Sequence, residues 1–170
     1  VYDYIMFNVR NGEIYMIKLK TFDCFTVGND LTSVQEGAWR SEKLEKLFVY
    51  LAMNRNRGVC IEDISEAIWQ VEEETDNPVG ALKNLAYRLR KALRDASFDE
   101  ECIVSVRGGL YKWNDDVEVT IDVEEFDRYI NEAEMAFCRS KETAIESYEK
   151  AIALYHGDFL PLRTDTHWFM

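Results

Sequence analysis

The stretch from Asp76 to Lys112 reads DNPVGALKNLAYRLRKALRDASFDEECIVSVRGGLYK. Its first half carries the signals of a capped helix. Asp76 or Asn77 can cap it, and Pro78 suits the first turn, where its missing N–H has no helical acceptor to lose. Leu82, Leu85, Ala86, Leu89 and Leu93 recur at three- and four-residue spacing and form one apolar stripe. Asn77, Gly80, Lys83, Asn84, Tyr87, Arg88 and Lys91 fall mainly opposite it, with Arg90 and Arg94 on the flank beside Lys83. Between Gly80 and Arg94 there are five Lys or Arg and no acidic residue. One face can therefore pack while the other reaches outward, cationic with an aromatic in its middle. On a chain of net charge -12, such a patch points to a local site for a polyanion. The plain alternative is a solvated helix face that happens to lack Glu.

The second half of the stretch reads as a hairpin. Cys102 to Val106 and Leu110 to Trp113 are rich in β-branched and aromatic residues, and Arg107-Gly108-Gly109 joins them at a Gly-rich tip. Arg107 and Lys112 are available to phosphates there. Upstream, Leu44, Leu47, Phe48 and Leu51 predict a helix from about Ser41 to Met53. Ile64, Ala67 and Ile68 predict a second, from about Ile61 to Trp69. A brief extended segment at Val59 lies between them, and Glu72-Glu73-Glu74 forms a polar link to the third helix. Three short helices followed by a hairpin make a winged helix-turn-helix. In that arrangement the last helix, about 77–94, enters the DNA major groove and the hairpin, about 102–113, rides beside it as the wing.

Before the helices, Tyr2 to Val27 reads as strands, turned at Asn11-Gly12 and again at Gly28-Asn29-Asp30 before Leu31 to Val34. A small antiparallel sheet of three or four strands covering a helical core is expected. Everything after about Asp115 is expected to be helical. Asp122 and Glu125 stand in capping-box spacing, with Asp in place of Ser or Thr. Val123, Phe126, Tyr129, Ile130, Ala133 and Phe137 form one stripe, ending near Cys138. A further helix, Lys141 to Tyr155, turns Ala144, Ile145, Tyr148, Ala151, Ile152 and Tyr155 inward, and Gly157 can stop it. The pair looks like one helical-hairpin repeat, and one such repeat cannot bury both of its faces. With Val1 at the start, and a new element able to begin at His167 and Trp168, the sequence is expected to continue in both directions and the second module to be incomplete.

Charge divides the chain at the same place. Residues 1–114 hold 15 basic and 18 acidic side chains, a net of -3; residues 115–170 hold 5 and 14, a net of -9. A winged domain with its strands is therefore expected over 1–115 and an acidic helical module over 116–170. The acidic module would repel DNA and is suited to meeting protein. A hydrophobic content of 47% allows a core to form, and no apolar run approaches the about 18 residues needed to span a bilayer. Cys24, Cys60, Cys102 and Cys138 are scattered without a C-x-x-C pair, which points to buried free thiols in a reducing compartment.

These residues resemble the DNA-binding half of bacterial transcriptional activators of the antibiotic regulatory protein family. Trp39 through Ala52 is similar to the first helix of an OmpR/PhoB-type winged helix, and Val59 through Trp69 to the second. Asn77-Pro78 with Ala81 through Leu93 is similar to the recognition helix, Arg88-Leu89-Arg90-Lys91 most specifically. Phe126 to Leu160 resembles the start of a bacterial transcriptional activation domain, with Tyr155-His156-Gly157-Asp158-Phe159-Leu160-Pro161 the most recognisable piece, which implies tetratricopeptide-like α-helices after the winged domain. The resemblance implies groove and phosphate contacts at Arg88 and Arg90 and a backbone or minor-groove contact at Arg107. The wing departs from the usual Arg-Gly-x-Gly-Tyr, reading Arg107-Gly108-Gly109-Leu110-Tyr111.

The expectation is an α+β protein that regulates transcription by sequence-specific binding of double-stranded DNA. Its contacts are expected from Lys83, Asn84, Tyr87, Arg88, Arg90, Lys91, Arg107 and Lys112. Asn84 can pair with adenine, and Tyr87 can pack on a sugar or a thymine methyl. RNA polymerase and a second copy of the chain are the expected protein partners, in the cytoplasm. The runner-up is a protein-interaction scaffold that keeps the winged fold without using DNA. No cofactor, metal or catalytic role is expected. The sequence has no H-E-x-x-H, Walker loop, dinucleotide fingerprint or G-x-S-x-G, and its two histidines, His156 and His167, lie outside the first domain.

Overall fold

The computed structural model describes residues 9–10, 13–14, 16–29, 32–69, 77–98, 100–106 and 109–159. β1 (Val9–Arg10) and β2 (Glu13–Ile14) pair antiparallel with Arg10 opposite Glu13. The expected turn at Asn11-Gly12 lies outside the described residues. β3 (Met16–Lys20), β4 (Thr26–Gly28) and β5 (Ser33–Gln35) follow as an antiparallel meander. Along β3 the alternation is clear: Ile17 and Leu19 are buried while Lys18 and Lys20 are exposed. After Gly28, the Asn29 side-chain oxygen accepts the Thr32 N–H at 2.8 Å and closes the second turn.

Three helices form the centre: α1 (Glu42–Met53), α2 (Ile61–Ile68) and α3 (Pro78–Asp95). α1 packs against α2, α3 and the wing. It is buried on every side from Leu44 to Ala52, not only along its predicted stripe. Even its charges are committed. Glu45 accepts the Gly37 N–H at 2.9 Å, and the Lys46 ammonium lies 3.0 Å from Glu42. Phe48 sits where the layers meet, its ring 6.5 Å from Phe25 of the sheet side and 5.4 Å from both Trp39 and Trp113.

A 3-10 turn at Glu100–Cys102 leads into β6 (Ile103–Val106) and β7 (Leu110–Trp113), which pair antiparallel. Val59 adds an antiparallel bridge to Tyr111, with backbone bonds of 2.8 and 2.9 Å, so the wing is rooted in the segment before α2. Gly109 has φ +79, the left-handed conformation that a tight hairpin needs and glycine adopts without strain.

The chain then departs from the expected run of helix. β8 (Glu118–Ile121) returns to the first sheet and pairs parallel with β3, giving the order β5-β4-β3-β8. Its partner is about a hundred residues away, and four residues are too few for periodicity to declare a strand. α4 (Asp122–Phe137) and α5 (Lys141–Leu154) follow as a helical hairpin. Ala133, Ala144, Ser147 and Ala151 are its buried residues, so the two helices meet through small side chains. Four of the larger apolar residues expected inside, Phe137, Ile145, Ile152 and Tyr155, are more than half exposed, while Val123, Phe126, Tyr129, Ile130 and Tyr148 are half-buried.

The expected capping box at α4 is absent. Ile121 is the N-cap and makes no side-chain cap bond, while Glu125 binds Arg128 instead. The Asp122 carboxylate is taken by the first sheet. It accepts the Thr21 N–H at 2.8 Å, the Thr21 hydroxyl at 2.6 Å and the Phe22 N–H at 3.1 Å. The Phe22 ring meets Phe126 at 5.6 Å and Tyr155 at 5.4 Å, and Arg55, just past α1, forms a two-pronged pair with Glu124 at 2.6 Å for each bond. Those contacts fasten the helical hairpin to the sheet and to α1.

All four cysteines are free, but only Cys102 is buried as expected. Cys60 is the N-cap of α2, its sulfur accepting the Asp63 N–H at 3.4 Å, and Cys138 is exposed at the end of α4.

Candidate nucleic-acid interface

α3 is held by its apolar stripe. Leu82, Leu85, Ala86, Leu89 and Leu93 are all buried. Asn77 caps the helix, its side-chain oxygen accepting the Gly80 N–H at 2.9 Å, and Pro78 is the first helical residue. With the stripe fixed, the opposite face must project. Lys83, Asn84, Tyr87, Arg88 and Lys91 are all exposed, and Tyr87 keeps 65% of its surface. Val79 on the first turn is also exposed, at 43%. α3 has no acidic residue in its first turn, whereas α1, α2, α4 and α5 each have at least one. No acidic side chain within that first turn offsets the positive end of its dipole.

Arg90 is placed differently from its neighbours. It is half-buried, and its guanidinium reaches to the wing. Nε and Nη2 donate to the Ile103 carbonyl at 3.1 and 2.9 Å, and Nη2 donates to the Ser105 hydroxyl at 3.4 Å. Sequence periodicity puts Arg90 beside Lys83 but carries no sign of this bond to β6. Its effect is to set the position of β6 against α3. Lys112 lies on β7 with its ammonium on Asp115. Arg107 and the Glu72-Glu73-Glu74 link lie outside the described residues. Five of the eight expected contact residues thus share one exposed face, and Arg90 and Lys112 are engaged within the fold.

Among the described residues, no group of His, Cys, Asp and Glu is arranged to hold a metal, and no helix is long and apolar enough to cross a membrane. A cleft of about 300 Å³ is lined by Arg55, Asn56, residues of the β7 end and β8, with no residue from α3. Trp113 is buried and donates from Nε1 to the Val117 carbonyl at 2.8 Å. Trp69 is only partly buried, with the Lys43 ammonium 5.9 Å from its ring centre.

The described residues thus form a helix-turn-helix with a rooted wing and a cationic, outward-facing third helix. Residues 36–113 match the family described as transcriptional regulatory protein, C terminal. The fold of the wider chain is shared with EmbR of Mycobacterium tuberculosis, solved in complex with a low affinity phosphopeptide. The TM-score is 0.70 at 20% identity, over 89% of this chain. The chain spans 39% of the EmbR chain. No curated protein matches the sequence. The family match falls on the winged domain, and the shared fold covers more of the chain than that.

Proposed function

We propose that this chain binds double-stranded DNA sequence-specifically, with α3 in the major groove and the β6–β7 hairpin as the wing, and so regulates transcription in the cytoplasm. The observation that carries the reading is the exposed face of α3. Lys83, Asn84, Tyr87, Arg88 and Lys91 project together from a helix whose other side is locked into the core. Lys83, Arg88 and Lys91 supply charge to phosphates, and Arg88 can also make a two-pronged approach to guanine. Asn84 offers the donor and acceptor that adenine requires. Arg107 reaches the backbone from the wing, Lys112 joins it by exchanging Asp115 for a phosphate, and Arg90 keeps that wing in register with the helix. No covalent step is involved.

The division of labour proposed is a winged domain with its strands over 1–115 and a helical module over 116–170. The module's acidity and its exposed Ile145 and Ile152 suit it to protein rather than DNA, either RNA polymerase or a second copy of the chain. A second reading, a scaffold that does not bind DNA, draws on one observation. Glu62, Asp63 and Glu66 are exposed on α2, which packs beside α3 and would repel phosphates there.

Fluorescence anisotropy with a mixed-sequence duplex at increasing salt separates the two. DNA binding predicts an affinity that falls linearly on a log–log plot. The slope should drop by about 0.9 in Lys91→Ala, for one lost phosphate contact. A folded sample without measurable affinity at low salt would support the scaffold.

A further inference from the structure

Seven large apolar side chains are conspicuously exposed among the described residues. Five belong to the helical hairpin and the residue after it; the other two, Val79 and Tyr87, are both on α3. None of the described residues covers them, and they stand on the helix already argued to enter the groove. They are eight residues apart, so they are separated by about 12 Å along the helix axis and about 80° around it. Lys83 lies between them at four-residue spacing and Lys91 follows Tyr87 at the same interval. The row Val79, Lys83, Tyr87, Lys91 therefore alternates apolar and cationic side chains along one exposed edge.

A major groove offers donors and acceptors at every base pair, but only one apolar group, the C5-methyl of thymine. A Val side chain has no hydrogen-bonding atom at all, so a groove position it faces can be read only through that methyl or through shape. Tyr87 presents a ring of the same character with a hydroxyl at its tip. Building on the DNA-binding reading above, we infer that Val79 and Tyr87 are specificity-determining residues that each read a thymine methyl. At about 3.4 Å of duplex per base pair, their separation sets the two thymines about three to four base pairs apart. Lys83 between them then addresses the intervening backbone or a guanine edge. Val79 adds to the contact set a residue that charge and hydrogen-bonding patterns do not mark.

The test uses the full chain and the duplex it selects from a randomised pool. Each thymine is replaced in turn by deoxyuridine, which removes the methyl and leaves every hydrogen-bonding group in place. Two thymines three to four pairs apart should each show about a fourfold loss of affinity, the size expected for uncovering one methyl-sized group. In Val79→Ala the penalty at one of the two should vanish, and in Tyr87→Ala the penalty at the other. Both side chains are exposed, so thermal melting should report intact folds. Uridine substitution without effect, or penalties that persist unchanged in both variants, would overturn the inference while leaving DNA binding intact. Failure to select or bind any duplex would remove the DNA-binding reading and this inference together.

Discussion

Replacing Arg90 by Ala should loosen the wing rather than strip a contact from the DNA. Arg90 gives two donors to the Ile103 carbonyl and a longer one to Ser105, and the residue is half-buried. A hydrogen bond from a charged donor contributes about 1.5–3 kcal/mol when buried, and solvent screening at this half-buried site brings the whole guanidinium to about 1.5 kcal/mol. For a chain of this length that corresponds to a fall in Tm of about 3–6 °C. Arg90→Lys keeps the charge, but its single ammonium cannot reproduce the planar fork, so most of the loss should remain. Calorimetry gives the stability, and anisotropy at several salt concentrations gives the DNA side. An anchoring role predicts that both variants lose stability while the slope of log affinity against log salt stays at the wild-type value. The reasoning is refuted if Arg90→Ala melts at the wild-type temperature and its salt slope falls by about 0.9, the signature of a lost phosphate contact.

Other parts of the account are open to equally direct checks. Asp122→Ala leaves the buried Thr21 N–H and the Phe22 N–H without their acceptor. It should destabilise the chain by about 3 kcal/mol in a denaturant titration, with α4 and α5 losing hydrogen-exchange protection first. Asn77→Ala should cost about 1 kcal/mol through the lost cap. A Cβ at Gly80 would come within 2.6 Å of Asn77 Nδ2, so Gly80→Ala should stabilise the helix by about 1 kcal/mol only in the Asn77→Ala background and be nearly neutral alone. Alkylation followed by mass spectrometry should label exposed Cys138 readily and buried Cys102 only on unfolding. For Cys60, the Asp63 N–H bond to sulfur favours the thiolate, but desolvation and hydrogen bonding with the Asp63 and Glu62 side chains push the pKa up. Its labelling rate should therefore keep rising with pH beyond the usual thiol range.

Much of the winged domain was readable because its signals are local. The Asn77 cap, Pro78 and the leucine stripe mark α3 at almost its observed bounds, Pro78–Asp95. The same stripe dictates which face projects, so the exposure of Lys83, Asn84, Tyr87, Arg88 and Lys91 follows from 100° per residue. Val79 was equally placeable on the wheel, 40° from Lys83, but a search for charge and hydrogen-bonding groups passes over it. What local pattern could not supply are the distant partners. β8 acquires its identity from β3, Asp122 from Thr21 and Phe22, and Arg90 from Ile103. The helical hairpin misled for another reason. Its stripes mix small and large residues, and the small ones, Ala133, Ala144, Ser147 and Ala151, take the contact because they let the backbones approach closely.

The most direct test of DNA recognition by α3 is selection from a randomised duplex pool at low salt, run with the wild-type chain and with Lys83→Ala/Arg88→Ala. Both substituted side chains are exposed, so the variant should melt like wild type. The account predicts an enriched, repeated motif for the wild type that is lost in the folded variant. No enrichment by a folded and concentrated wild-type sample, or the same motif recovered undiminished by the variant, would contradict it.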